Sequence, residues 1–321
     1  MPAPLLVIGS LAAVIGARHI EHQQREAWEA WFEPAEAPAV AWPATPAHGK
    51  SLAQVLRGVD DPAIPWLTFP ALRDVTDPAW GAVLTDVMQH LTAADAAHWT
   101  DGGAGNSERA TDAHEGTHGI HFSLRYARQQ EGGFEVGAKV NTLYVLDDRY
   151  VMLLEPPMSK AEVAARVPQP LRAFRFQLYV AEQEGWNDRP LYLWDEWVAY
   201  TNDCATMIDR EQAGLTEDLA VLHDSVQGPL EFSVYALATL LALSEEAPQH
   251  LADHPALAAF TAWNLRRAFE LYELGRTIPR LRWEESEAYV AELRTGASAA
   301  ALRDLARALW GPDWTKEVMG F

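Results

Sequence analysis

The chemistry in this sequence is concentrated in the run His114-Glu115-Gly116-Thr117-His118. Residues four apart on an α-helix differ by about 40° around its axis, so the two imidazoles point the same way and can hold one metal ion. Glu115, one position beyond His114, can then reach a water on that ion and act as its base. The chain has 11 histidines and one cysteine, Cys204, so a metal would be held by imidazoles and carboxylates rather than by several thiolates. His121 lies on nearly the same face as His114 but a full turn too far for the same ion, and reads as a residue behind the ligands or as merely polar.

Two imidazoles and a water leave one protein ligand to be found. An H-E-x-x-H-x-x-G-x-x-H extension is absent, because His121 stands three past His118 and Leu124 six past it; an inverted H-x-x-E-H is absent as well. The best candidate is in Leu191 to Asp203, LYLWDEWVAYTND. Glu196 falls one turn into an expected helix between Trp194, Trp197 and Val198, a setting in which a carboxylate is costly unless paired or bound to metal. Asp203 shares its face and is the acid expected to orient a ligand histidine, with Tyr200 beside it. Among rivals, Glu182 and Glu184 read as an exposed turn. Asp195, about 100° around the helix from Glu196, is expected to face away from His114 and His118. His223 is the nearest imidazole beyond. Tyr200, Tyr192, His223 and Tyr235 are the candidate donors to a developing oxyanion.

With these residues the chain resembles the gluzincin group of zinc metallopeptidases, in which H-E-x-x-H on one helix is completed by a glutamate on a later one. The matching positions are His114, Glu115, His118 and Glu196, and Glu196-Trp197-Val198-Ala199-Tyr200 is similar to the glutamate helix of some toxin-type members. Asp195 stands where thermolysin-like enzymes have asparagine, and 78 positions separate Glu196 from His118, far more than in the thermolysin-like pattern. The resemblance implies a zincin-like domain, Zn²⁺ on His114, His118 and Glu196, a metal-activated water with Glu115 as general base, and a peptide or protein substrate. Two other readings stay open: a non-proteolytic metal enzyme with a 2-His-1-carboxylate iron site, and a zincin-like binding module without catalysis.

The elements that must position these residues are mostly helices. Asp77-Pro78 followed by Trp80, Val83, Leu84, Val87, Met88 and Leu91 predicts a helix of about five turns. Gly-rich 101–106 ends it, and Ser107 can cap a second helix through Gln129 that carries the histidines. Alternation at Val140, Thr142, Tyr144 and Leu146, a turn at Asp147-Asp148 and a return over Tyr150 to Leu154 predict a β-hairpin. Ser159 to Glu162 forms a capping box, and Phe174 to Ala181 is expected as another strand. Helices are expected over 191–213, 229–246, 255–274, 284–294 and 298–310. The class is therefore α+β, helix-dominated, with a small inserted β-hairpin or sheet.

Residues 1–33 read as an apolar then amphipathic helical segment, a possible signal or anchor, although Leu5 to Ala17 lacks a basic flank and is short for a membrane span. Secretion or an envelope association is one expectation from it. Residues 34–50 form an Ala/Pro-rich linker, leaving 51–321 as the metal-binding catalytic domain. The formal net charge of −20, from 25 basic and 45 acidic residues, argues against nucleic acid as a partner.

Overall fold

A computed structural model describes residues 49–100, 106–127, 132–135, 137–184, 187–216 and 224–321. The expectations for the N-terminal segment, for most of the linker and for the glycine loop at 101–105 lie outside these residues. In chain order the helices are α1 (Leu52–Arg57), α2 (Gly81–Gln89), α3 (Ala93–Trp99), α4 (Asn106–Ala127), α5 (Lys160–Arg166), α6 (Tyr192–Gln212), α7 (Asp224–Glu246), α8 (Pro248–Asp253), α9 (Pro255–Gly275), α10 (Ser286–Thr295), α11 (Ala300–Trp310) and α12 (Pro312–Val318). Strands β1 (Leu67–Thr68), β2 (Val140–Tyr144) and β3 (Arg149–Leu154) form one antiparallel sheet in the order β1-β3-β2. The class is α+β and helix-dominated.

α6 is the central element. It packs along α4 on one side and along α7 on another, with α9 and α2 also against it, and nearly every residue from Leu193 to Ile208 is buried. α7 is long and apolar enough to cross a membrane, but almost all of that stretch is buried inside the protein, as expected of a core helix. The hairpin lies beside α4, in the register Val140↔Leu154 to Tyr144↔Tyr150. Its turn puts Leu146, Asp147 and Asp148 at positive φ, which Asp tolerates and Leu seldom adopts.

The sequence-based expectations hold for the hairpin, for α5 and for α9, and those for α4, α6, α10 and α11 hold to within a few residues; two others are corrected. The single helix of about five turns is two. Thr92 starts α3 by accepting the Asp95 N–H at 3.1 Å, while the Arg73 guanidinium takes the carbonyls of Met88 (2.7 Å) and Leu91 (2.6 Å). Side-chain groups thus satisfy a helix end that the apolar spacing alone would have continued. The strand expected over Phe174 to Ala181 is a π-helical turn, Phe176–Glu182. Its alternating apolar residues fill the interior, and the N–H of Arg175 is fixed on Glu231 at 2.9 Å. The third strand is β1 instead. α7 also begins five residues before the expected Pro229.

Candidate metal centre

α4 has glycines where α2 and α3 come close. A Cβ on Gly116 would lie 2.8 Å from Val87, and one on Gly119 2.7 Å from the Trp99 ring, so α2 and α3 seat directly on its backbone. The opposite side of α4 then turns its histidines toward α6. The start of α6 is clamped by the hairpin: Asn141 Nδ2 donates to the Leu191 carbonyl at 3.0 Å, and Glu155 Oε2 accepts the Leu191 N–H at 2.9 Å.

Three atoms converge between these helices. His114 Nε2 and His118 Nε2 are 3.1 Å apart, and Glu196 Oε2 lies 3.3 Å from the first and 3.4 Å from the second. A tetrahedral ion with bonds of about 2.0–2.2 Å requires donor separations of about 3.3–3.6 Å, so the three atoms are spaced as ligands of one zinc-sized ion. Glu196 Oε2 is buried and makes no hydrogen bond of its own, which is costly for an anion unless a cation sits there. The charge balance agrees. Burial opposes a charged His118, yet Glu196 and Asp195 outweigh it and hold its pKa well above the ordinary imidazole value; His114 is raised in the same sense by Glu196. Burial likewise opposes an ionised Glu196, and the two histidines overcome it, leaving its pKa below the usual carboxylate range. Two imidazoles and a carboxylate that all favour their charged forms make a place for positive charge.

Asp195 does not face away. Its Oδ1 lies 2.6 Å from His118 Nδ1 and 2.7 Å from His121 Nδ1, and its Oδ2 accepts from Arg125 Nη2 at 2.7 Å. An ionised carboxylate only accepts, so Nδ1 of His118 carries a proton, and Nε2, which faces Glu196 and His114, is the nitrogen that would bind a metal on giving up its own proton. The angular argument against Asp195 fails because the two nitrogens of an imidazole lie on different edges of the ring: adjacent residues of α6 take one edge each. Asp203 in turn is not the acid that orients a ligand histidine; its Oδ1 accepts from Ser225 Oγ at 3.2 Å, tying α6 to α7. His121, fully buried, stands behind His118 on Asp195 as expected.

Tyr200 packs edge-on against His114, with ring centroids 4.4 Å apart, and its hydroxyl meets that of Tyr179 at 3.0 Å. α7 makes room for that ring at Gly228, where a Cβ would fall 2.4 Å from Tyr200 Cδ1. Tyr192 lies at the edge of the site, its ionisation suppressed by burial and by the charge and hydrogen bonding of Glu196. Tyr235 instead donates to Glu231 at 2.8 Å, inside a buried group with Arg175 and Gln227. Glu182 and Glu184 are exposed, and His223 lies outside the described residues. Glu115 is buried, close enough to His114 for its charge to be felt there. Sequence reasoning set Asp195 aside as a rival ligand facing away and did not single out Arg125, Tyr179 and Gly228. The signal it passed over for the first was the adjacent acid pair Asp195-Glu196 itself. Comparison with protein-family models, with curated proteins and with solved structures finds no match to this chain, so the reading of the site rests on its own geometry.

Proposed function

We propose that the protein is a zinc-dependent metallopeptidase with a gluzincin-like centre. The observation that carries this reading is the convergence of His114 Nε2, His118 Nε2 and Glu196 Oε2 at the spacing of a tetrahedral ion, with Glu115 on the same helix as both histidines. Bound there, zinc would polarise a peptide carbonyl and acidify a water. Glu115 accepts the proton of the attacking water and passes it to the leaving amine. Asp195 keeps His118 in the tautomer that leaves Nε2 free, and Tyr200 walls His114 against rotation. A carboxylate base beside the ligands favours hydrolysis over a 2-His-1-carboxylate iron site, whose chemistry does not call for one.

The test combines metal content with turnover. Protein purified without added metal should contain one zinc per chain by elemental analysis. Glu115→Gln should keep that zinc yet cleave a peptide library, read by mass spectrometry, at least about 100-fold more slowly. Protein that stays metal-free in excess zinc, or a Glu115→Gln variant with unchanged cleavage, would sink the reading.

A further inference from the structure

A second polar group, away from the metal ligands, sits on α9. Trp263, Asn264 and Arg267 share an arc of about 100° of that helix. Arg267 is 1% exposed and Asn264 fully buried. Arg267 Nη2 donates to Asn202 Oδ1 at 2.9 Å, but its Nε and Nη1 have no acceptor, and neither polar atom of the Asn264 side chain has a partner. Among the described residues no carboxylate lies within ion-pair distance of Arg267. The largest charge effect on it is of the same sign, from Arg149, which itself lies 3.8 Å from the exposed Asp60; the opposite charge of Asp86 acts on Arg267 more weakly. Burial, with the field of Arg149 adding to it, draws the Arg267 pKa down to about 9, so the group remains a cation at neutral pH. Arg149 lies over the rings of Trp66 (5.2 Å) and Trp263 (5.6 Å), its own Nε also without an acceptor, and Arg267 lies 5.6 Å from the Trp263 ring.

A buried guanidinium bonded only to a neutral amide, beside a second cation, is a costly arrangement without an anion. We infer that the Arg267–Asn264 face of α9 binds one small inorganic anion of the halide class, chloride under ordinary salt. Arg267 Nε and Nη1 and the Asn264 amide are its donors, and Arg149 supplies further positive potential. Size follows from the surroundings. Arg267 and Asn264 are interior side chains, Arg267 lies beside the Trp263 ring on which Trp66 and Phe260 pack at 5.1 and 6.0 Å, and a monoatomic anion is the least bulky species that meets the charge. The anion would also brace the metal centre from behind. Asn202, held by Arg267, donates to Thr117 Oγ1 at 3.1 Å within His114-Glu115-Gly116-Thr117-His118, and to the Tyr144 carbonyl at 3.2 Å, joining α9, α6, α4 and β2.

The experiment is thermal unfolding of the full chain in sodium chloride, bromide and gluconate at one fixed ionic strength, with bromide-soaked crystals read by anomalous scattering. Both halides should raise Tm over gluconate saturably, by about 2–5 °C when well above half-saturation. A bromide peak should lie against Arg267 and Asn264. Asn264→Ala, which leaves the buried cation in place, should still fold and lose the halide increment; Arg267→Gln should lose it too. Equal Tm in chloride and gluconate, a halide increment that survives Asn264→Ala, or a water or a carboxylate of the chain on Arg267 in the bromide crystals would overturn the inference. None of these readouts depends on the metal or on peptide cleavage.

Discussion

Asp195 illustrates how one side chain can decide the behaviour of its neighbours. It accepts from His118, His121 and Arg125 together, and His118 Nε2 is available to a metal because Nδ1 is committed to this carboxylate. Asparagine has one accepting oxygen and would turn an amide N–H₂ toward groups that are themselves donors. Asp195→Asn should therefore weaken zinc binding by about 10- to 100-fold, measured by competition with a chromophoric chelator. Asp203→Asn changes a contact with Ser225 and leaves the candidate ligands alone, since His118 Nδ1 is on Asp195 and His114 Nδ1 bonds to no side chain, and it should stay within about twofold of wild type by the same measurement. Equal losses in the two variants would show that the network on Asp195 does not orient His118. Glu196 makes the complementary point: flanked by buried Trp194 and Trp197, it was legible as a candidate ligand because a carboxylate in an apolar run demands a partner.

At the scale of elements, what sequence could and could not show divides along a physical line. Periodic apolar spacing and end signals located α6, α9 and the hairpin, because those depend on residues a few positions apart. The break between α2 and α3 has one local signal that the apolar spacing overrode, Thr92 capping Asp95, while Arg73 reaching Met88 and Leu91, and Glu231 holding Arg175 at the π-helical turn, are partners farther along the chain that no local pattern records. The long separation of the two ligand segments, which sequence could only note as a departure, has a positional consequence. The hairpin inside it fixes the first turn of α6 through Asn141 and Glu155, one turn ahead of Glu196. Glu155 performs that task under strain: burial raises its pKa from 4.5 to about 7, with the Leu191 N–H and Arg125 pulling the other way. Between those two values the folded protein holds a proton that the unfolded chain has released, so this group makes stability fall as pH rises, and above about 7 the cost is complete. Glu155→Gln keeps an acceptor for the Leu191 N–H without the charge. It should match wild type in urea unfolding near pH 4.5 and exceed it at pH 8; a gain that is the same at both pH values would assign the effect to something other than this titration.

For the whole molecule, an ion at the proposed centre would join elements already tied by Asp195, Asn202 and Arg125. α4 would supply two ligands and α6 the third; α6 also carries the packing with α7 and α9, and the hairpin is tied to it through Arg125, which bonds both Asp195 and Asn141. Without an ion, Glu196 Oε2 is a buried anion facing protonated imidazoles, so zinc bound there would stabilise the folded state over the unfolded chain. With zinc held about 100-fold above its dissociation constant, the stabilisation is about 2.7 kcal/mol, which in a chain of this size raises Tm by about 4 °C over chelated protein. The gain should be uneven. Amide hydrogen exchange should slow most in the first turns of α6 and in β2, which the ligand network reaches directly, and should change little in α11 and α12, which pack on α7 and α9. His118→Ala and Glu196→Ala should each remove both the Tm increment and the local protection while leaving exchange in α11 and α12 as in the chelated wild type. A zinc-dependent rise in Tm that persists in either variant would mean that the stabilising ion binds somewhere other than between α4 and α6.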